Sequence, residues 1–259
     1  MIPAYLALTL AAALAFTAPS ATTSPNGGRH VGPDGHDALS EGQRLYDAGD
    51  YKAAAGWYGQ AVARERRNAD LHYNLGNALF KDGRTGPAIA SYQRAFSIRP
   101  RDPDIRQNLD FALRRAGENL VPPGVPPLLF IAFHLFSERE LSGLHWLACW
   151  LALLLAGLFV WKGSRRETLL PWTAAAWLLW LVLGGWWLAL RLTTPQRSGV
   201  IVSASAEIRS GPGDNFSVSF TAPEGRRVQI LSDSGEWLEI GMLKEGVKGW
   251  IAAAAVEPI

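Results

Sequence analysis

The chain is poor in the residues that carry most chemistry. Of its 259 residues only one is cysteine, Cys149, and it lies inside an apolar run. A single thiol closes no intrachain disulfide and builds no cysteine zinc site, so each folded part must be held by its own core. The five histidines, His30, His36, His72, His134 and His145, are scattered and form no ligand cluster with Asp or Glu. Phosphate loops of the GxxxxGK type, HExxH and GxSxG are all missing. An excess of one charge is also missing, since the net charge is +2. That argues against bulk electrostatic binding of nucleic acid. No cofactor, metal or catalytic residue is expected, and the chain reads as a non-enzyme. Asp47, Asp50, Asp70 and Asp82 read as solvated helix faces and caps.

What the chain does contain is an internal echo. Gly83, Ala88, Tyr92 and Ala95 fall 34 residues after Gly49, Ala54, Tyr58 and Ala61. A period of this length is the mark of a helical repeat. The second copy reads His72, Leu75-Gly76, Leu79, Ala88, Tyr92, Ala95 and Pro100; the first reads Ala38, Glu41-Gly42, Leu45, Ala54, Tyr58 and Ala61. These residues resemble the tetratricopeptide repeat, with Glu41 where Leu is usual and Arg66 where Pro is usual. Gly42 and Gly76 are expected where two antiparallel helices come closest, faced by the small Ala54 and Ala88. Gly49 and Gly83 fit a left-handed helix end. Pro100 stops the second helix. A third helix over roughly Pro103–Leu120 is predicted from the start signal Asp102-Pro103-Asp104, and reads as a cap on the stack. Two repeats plus a cap, residues 38–120, sit near the lower limit for a stable stack, which favours support from a partner or a second copy. Arg44, Asn74, Asn77 and Lys81 are the candidate partner contacts.

Eight of the eleven tryptophans lie between Trp146 and Trp187. Leu141–Trp161 and Thr168–Leu190 contain no Asp, Glu, Lys or Arg. Each is long enough to cross a hydrocarbon core of about 30 Å at 1.5 Å per residue. The connector, residues 162–167, carries Lys162, Arg165 and Arg166 and is expected in the cytoplasm. Both soluble parts would then face outside. Ala148, Ala152 and Ala156, with Gly185 and Ala189, have the spacing of small residues at a helix contact in lipid. His145 is the one ionisable group near the interior of a crossing. Ile2–Ala18 reads as an export signal within residues 1–21, cleaved or kept as an anchor, followed by a polar linker over 22–37. In the Pro-rich segment 121–140, Leu128–Phe136 is read as a short helix lying either on the membrane surface or against the repeats.

Residues 198–259 alternate Val, Ile and Ser between turn signals spaced about every ten residues, the pattern of a small all-β barrel or sandwich. Ile208-Arg209-Ser210-Gly211-Pro212-Gly213, Trp237-Leu238-Glu239-Ile240 and Gly249-Trp250-Ile251 resemble the bacterial SH3-like (SH3b) domain, with Glu207 where Asn is common. Arg209 is expected to brace the Gly211-Pro212 turn, and Trp237 and Trp250 to pack in the core. The resemblance implies an interaction module that takes cell-wall peptides or proteins.

Export signal, repeats, two crossings and SH3b domain in this order resemble the BatE-type proteins of bacterial Bat (aerotolerance) operons. That resemblance implies an envelope scaffold in the inner membrane, working beside membrane-anchored von Willebrand A-domain proteins and a MoxR-type ATPase. The expectation is thus a multidomain membrane protein: an all-α repeat solenoid, a two-helix transmembrane hairpin and an SH3-like barrel. The alternative is a sensor whose SH3b domain holds peptidoglycan.

Overall fold

The computed structural model describes residues 35–193, 197–242 and 246–259, with side chains from Leu39 onward. The expected export signal and most of the linker lie outside the described residues. Five antiparallel helices come first: α1 (Gly35–Asp47), α2 (Tyr51–Arg64), α3 (Ala69–Lys81), α4 (Thr85–Ile98) and α5 (Pro103–Arg115). Each packs on the next around a core that includes Tyr58, Leu71, Ala88, Ile89, Leu109 and Leu113.

The helix ends follow from side chains and glycines. Asn68 caps α3 by accepting from the backbone N–H of Asp70 and Leu71. Asp102 does the same for α5 with Asp104 and Ile105. Gly49, Gly83 and Gly117 have φ of +82°, +85° and +74°. The N–H after each reaches back to close the turn: Asp50 to the Leu45 carbonyl, Arg84 to Leu79 and Glu118 to Leu113. These glycines, and the three leucines they fold onto, are again 34 residues apart. α5 therefore ends in the same way as α1 and α3, in step with the 34-residue period. It ends at Arg115, five residues short of the expected Leu120.

Gly42 and Gly76 are the points of closest approach, but the group nearest each is a ring. A Cβ on Gly42 would lie 2.5 Å from the Tyr58 ring, and one on Gly76 would lie 2.6 Å from the Tyr92 ring. The expected partners Ala54 and Ala88 are fully buried elsewhere in the same core. A glycine leaves a slot, and a flat ring fills it better than a methyl group does.

After α5, the short helix α6 (Pro127–Phe133) leads into the long pair α7 (Glu138–Trp161) and α8 (Arg166–Thr193). Both members of the pair are long and apolar enough to cross a membrane. Ser137 and Glu140 form a capping box that starts α7. The contact between α7 and α8 buries Ala148, Ala152 and Ala176. Gly184, not Gly185, takes the close approach. A Cβ there would sit 2.7 Å from the His145 ring, whereas one on Gly185 would meet nothing within 4 Å. Ala156 and Ala189 are half-buried.

The C-terminal part is a small SH3-like antiparallel barrel. Its strands are β1 (Ser198–Ile201), β2 (Ser205–Arg209), β3 (Val218–Pro223), β4 (Arg227–Ser234), β5 (Trp237–Met242), β6 (Val247–Ala252) and β7 (Val256–Pro258), in the spatial order β3-β2-β6-β5-β4-β1-β7. Alternation along β5 sends Leu238, Ile240 and Met242 inward, to a core shared with Ile208, Val228 and Ile251.

Candidate interaction surfaces

The first helices of the two repeats, α1 and α3, share with α5 an open face rich in aromatic and amide groups. At its centre the Tyr92 hydroxyl donates to Asn77 Oδ1 at 2.7 Å. Asn108 Nδ2 donates to the same oxygen at 2.9 Å and to the Tyr73 hydroxyl at 3.0 Å. Burial, with the neighbouring Tyr73 and Tyr46 phenols, pushes the Tyr92 phenol well above its ordinary value, so it stays a neutral donor. Beyond this network Phe80 and Phe111 meet edge-to-face at 5.6 Å, Arg115 lies over the Phe80 ring, and Phe111 is 55% exposed.

The four expected contact residues divide on this geometry. Asn77 is half-buried and holds the network, so its amide oxygen already has two donors. Asn74 is half-buried and Lys81 exposed on the same helix. Arg44 on α1 is exposed but clasps Glu41 at 2.6 Å. The aromatic groups Tyr73, Phe80 and Phe111 were missed. Asn108 was also missed, although it stands 34 residues after Asn74.

A second surface lies on the barrel. Strand alternation places Trp237 and Glu239 of β5 and Trp250 of β6 outward, each half-buried, while the core is built without either tryptophan. The expected core role of Trp237 and Trp250 is thus replaced by an outer-face role. Arg209 pairs with Trp250 across β2 and β6 and lies 5.9 Å from the Trp237 ring centre. Its guanidinium donates to the carbonyls of Asp214 and Phe216 at 2.7 and 2.9 Å, and to Glu207 at 2.6 Å. It ties down the turn that holds Gly211 and Pro212. A Cβ on Gly211 would strike the Phe216 ring at 2.5 Å. Gly249 lets β6 approach β2, because a Cβ there would lie 2.4 Å from Ile208.

Residues 39–103 match the tetratricopeptide repeat family, and residues 204–257 match the bacterial SH3 domain family. Over 62 residues the chain is 34% identical to the putative N-acetylmuramoyl-L-alanine amidase YrvJ of Bacillus subtilis. That stretch is 24% of this chain and 12% of the relative's length. Among solved structures, MamA of MSR-1 is 21% identical over 32% of this chain and 48% of its own, with a TM-score of 0.31. The Yersinia enterocolitica type III secretion translocator chaperone SycD is 16% identical over 62% of this chain and 95% of its own, also with a TM-score of 0.31.

The SH3 domain is seated on the repeats. A Cβ on Gly86 of α4 would lie 2.5 Å from the Ile201 carbonyl oxygen, and the Gly86 N–H donates to Glu224 at 2.7 Å. Arg94 pairs with Glu257 at 2.5 Å and donates to the Pro258 carbonyl. Buried Glu118 faces Arg226 and Arg227 at 3.3 and 3.5 Å. Val200 of β1 joins the repeat core. The repeats are likewise fastened to the hairpin. Arg101 pairs with Glu140 at 2.5 Å, and Trp186 Nε1 donates to the Phe133 carbonyl at 3.1 Å. α6 turns Phe130 toward Phe96, stacked at 6.5 Å, and leaves Leu128 and Leu129 exposed. No cluster of three or more His, Cys, Asp or Glu side chains placed for a metal exists among the described residues.

Proposed function

We propose that this protein is a membrane-anchored envelope scaffold that binds other proteins through its tetratricopeptide face, within a Bat-type assembly. The observation that carries the reading is the seam between the modules. The SH3 domain is fixed to α4, while the face of α1, α3 and α5 stays open with its aromatic groups at the surface. Repeats of this kind bind helices or extended segments by such faces. The basic connector Lys162–Glu167 favours a hairpin whose loop stays in the cytoplasm, with both modules outside. The partners fitting this reading are membrane-anchored von Willebrand A-domain proteins and a MoxR-type ATPase system. A photo-crosslinking residue at Phe111 tests it in native membranes. The expected adduct is with a von Willebrand A-domain protein; loss of any discrete protein adduct contradicts the scaffold.

A second reading rests on the outer face of the barrel. Trp237, Trp250 and Arg209 form an aromatic and cationic patch, and the curated relative is named as an amidase of the N-acetylmuramoyl-L-alanine bond. In this reading the domain holds peptidoglycan. Full-length protein retained on purified sacculi, with retention lost in Trp250→Ala, supports it. Equal recovery of wild type and variant removes it.

A further inference from the structure

The α2–α3 connection carries a group of arginines that the protein-binding face does not use. Arg64, Arg66, Arg67 and Arg99 line an open cleft of about 730 Å³ between the α2–α3 connection and the end of α4. The acids in the same cleft are Glu65 and Asp70. Asp70 is held by Arg99, and Glu65 accepts from Asn68 at 2.9 Å. The cleft thus sets four arginines against two carboxylates, a net positive lining. Arg64, Arg66 and Arg67 are exposed.

The position of the cleft narrows its ligand. Two residues after Arg99, Arg101 grips Glu140 in the first turn of α7. The same end of the repeats thus meets the start of the hairpin. Beside it, α6 presents exposed Leu128, Leu129 and Ile131. A smaller cavity next to it is lined by Arg101, Arg106, Phe130, Ile131 and Leu135. Exposed apolar side chains beside clustered arginines are the composition of a surface lying at the headgroup level of a bilayer. Guanidinium groups hold phosphate oxygens in pairs, and several of them suit a phosphodiester better than a lone carboxylate.

We infer that the Arg64–Arg66–Arg67–Arg99 cleft seats the phosphate headgroup of an anionic phospholipid from the leaflet next to the repeats. This rests on reading α7 and α8 as membrane-spanning. The seat holds the repeats down against the bilayer and leaves the aromatic face of α1, α3 and α5 directed away from lipid.

The test uses the full chain in nanodiscs of phosphatidylcholine alone and of phosphatidylcholine with phosphatidylglycerol, followed by backbone hydrogen exchange. Slow exchange throughout α7 and α8 in both lipids checks the hairpin separately, and its absence would sink the spanning reading instead. The cleft prediction is extra protection of residues 64–70 and 98–101 in the phosphatidylglycerol discs only. The phosphatidylglycerol fraction giving half of that protection rises about fivefold in Arg66→Gln, the worth of one basic residue near a charged surface. Arg66→Lys retains most of it, and unchanged exchange in α1 to α5 confirms that the variants fold. Equal protection in both lipids, or the same protection from inorganic phosphate added to phosphatidylcholine discs, overturns the assignment.

Discussion

Tyr58 and Tyr92 occupy the same place in successive repeats, yet their hydroxyls differ. The Tyr92 hydroxyl has Asn77 as acceptor, whereas the buried Tyr58 hydroxyl has no partner among the described residues. Burial pushes the Tyr58 phenol up to about 12. Tyr92→Phe should cost about 1 kcal/mol, and Tyr58→Phe should be neutral or slightly stabilising, because an unpaired buried hydroxyl contributes nothing. Thermal melts of the two variants check this contrast. His72 supplies the pH dependence. It is 2% exposed and its Nε2 lies 2.9 Å from the Arg66 carbonyl. Burial holds its pKa below the ordinary 6.5. Above that value the ring is neutral both folded and unfolded, so nothing is lost. As pH falls below about 6.5, the unfolded chain takes up a proton that the folded ring resists, and stability drops. His134 shifts in the same direction through burial. His72→Gln should therefore flatten, though not abolish, the loss of melting temperature on acidification. The turn glycines Gly49 and Gly83 were legible in the sequence because a left-handed helix end admits little else. The rings facing Gly42 and Gly76 were not, because spacing places a residue on a helix face without saying how far its side chain reaches.

At the scale of elements, the SH3 domain and α4 form the joint that the sequence left invisible. Small and apolar residues such as Gly86, Ile89 and Ala90 look the same whether they pack on a neighbouring helix or on a barrel edge. Gly86→Leu should open this joint, since a side chain there collides with the backbone of Ile201. Overpacking of this kind costs about 1–3 kcal/mol. The expected outcome is faster hydrogen exchange at β1 and β7 and around Glu118, with the β5–β6 core unchanged. Exchange identical to wild type would mean that the seam yields without strain. α5 was legible as a helix from its cap and proline, but its shared ending with α1 and α3 was not. The position of Gly42 and Gly76 is taken there by Asp110, which breaks the echo. Trp237 and Trp250 were expected in the core. The period of two along β5 and β6 sends them outward, and Leu238 and Ile251 take the inside.

At the scale of the whole molecule, three parts that read as separate modules are joined by specific contacts. Arg101 with Glu140 ties the repeats to the hairpin, and Trp186 with Phe133 ties α6 to it; Gly86 with Glu224 and Arg94 with Glu257 tie the repeats to the SH3 domain. Such contacts hold the open face in one relation to the hairpin and the SH3 domain, which a flexible string of modules could not do. Charge-free runs made the two long helices legible. The contacts between modules were hidden because each rests on a few arginines and glutamates far apart in the chain. The most direct measurement is labelling of single cysteines with a membrane-impermeant maleimide in intact cells, in a Cys149→Ala background. A hairpin whose loop lies in the cytoplasm predicts labelling of Ser97→Cys in the repeats and Ser234→Cys in the SH3 domain without lysis, and of Ser164→Cys in the connector only after lysis. Labelling of Ser164→Cys in intact cells, or of Ser97→Cys and Ser234→Cys on opposite sides of the membrane, would contradict it.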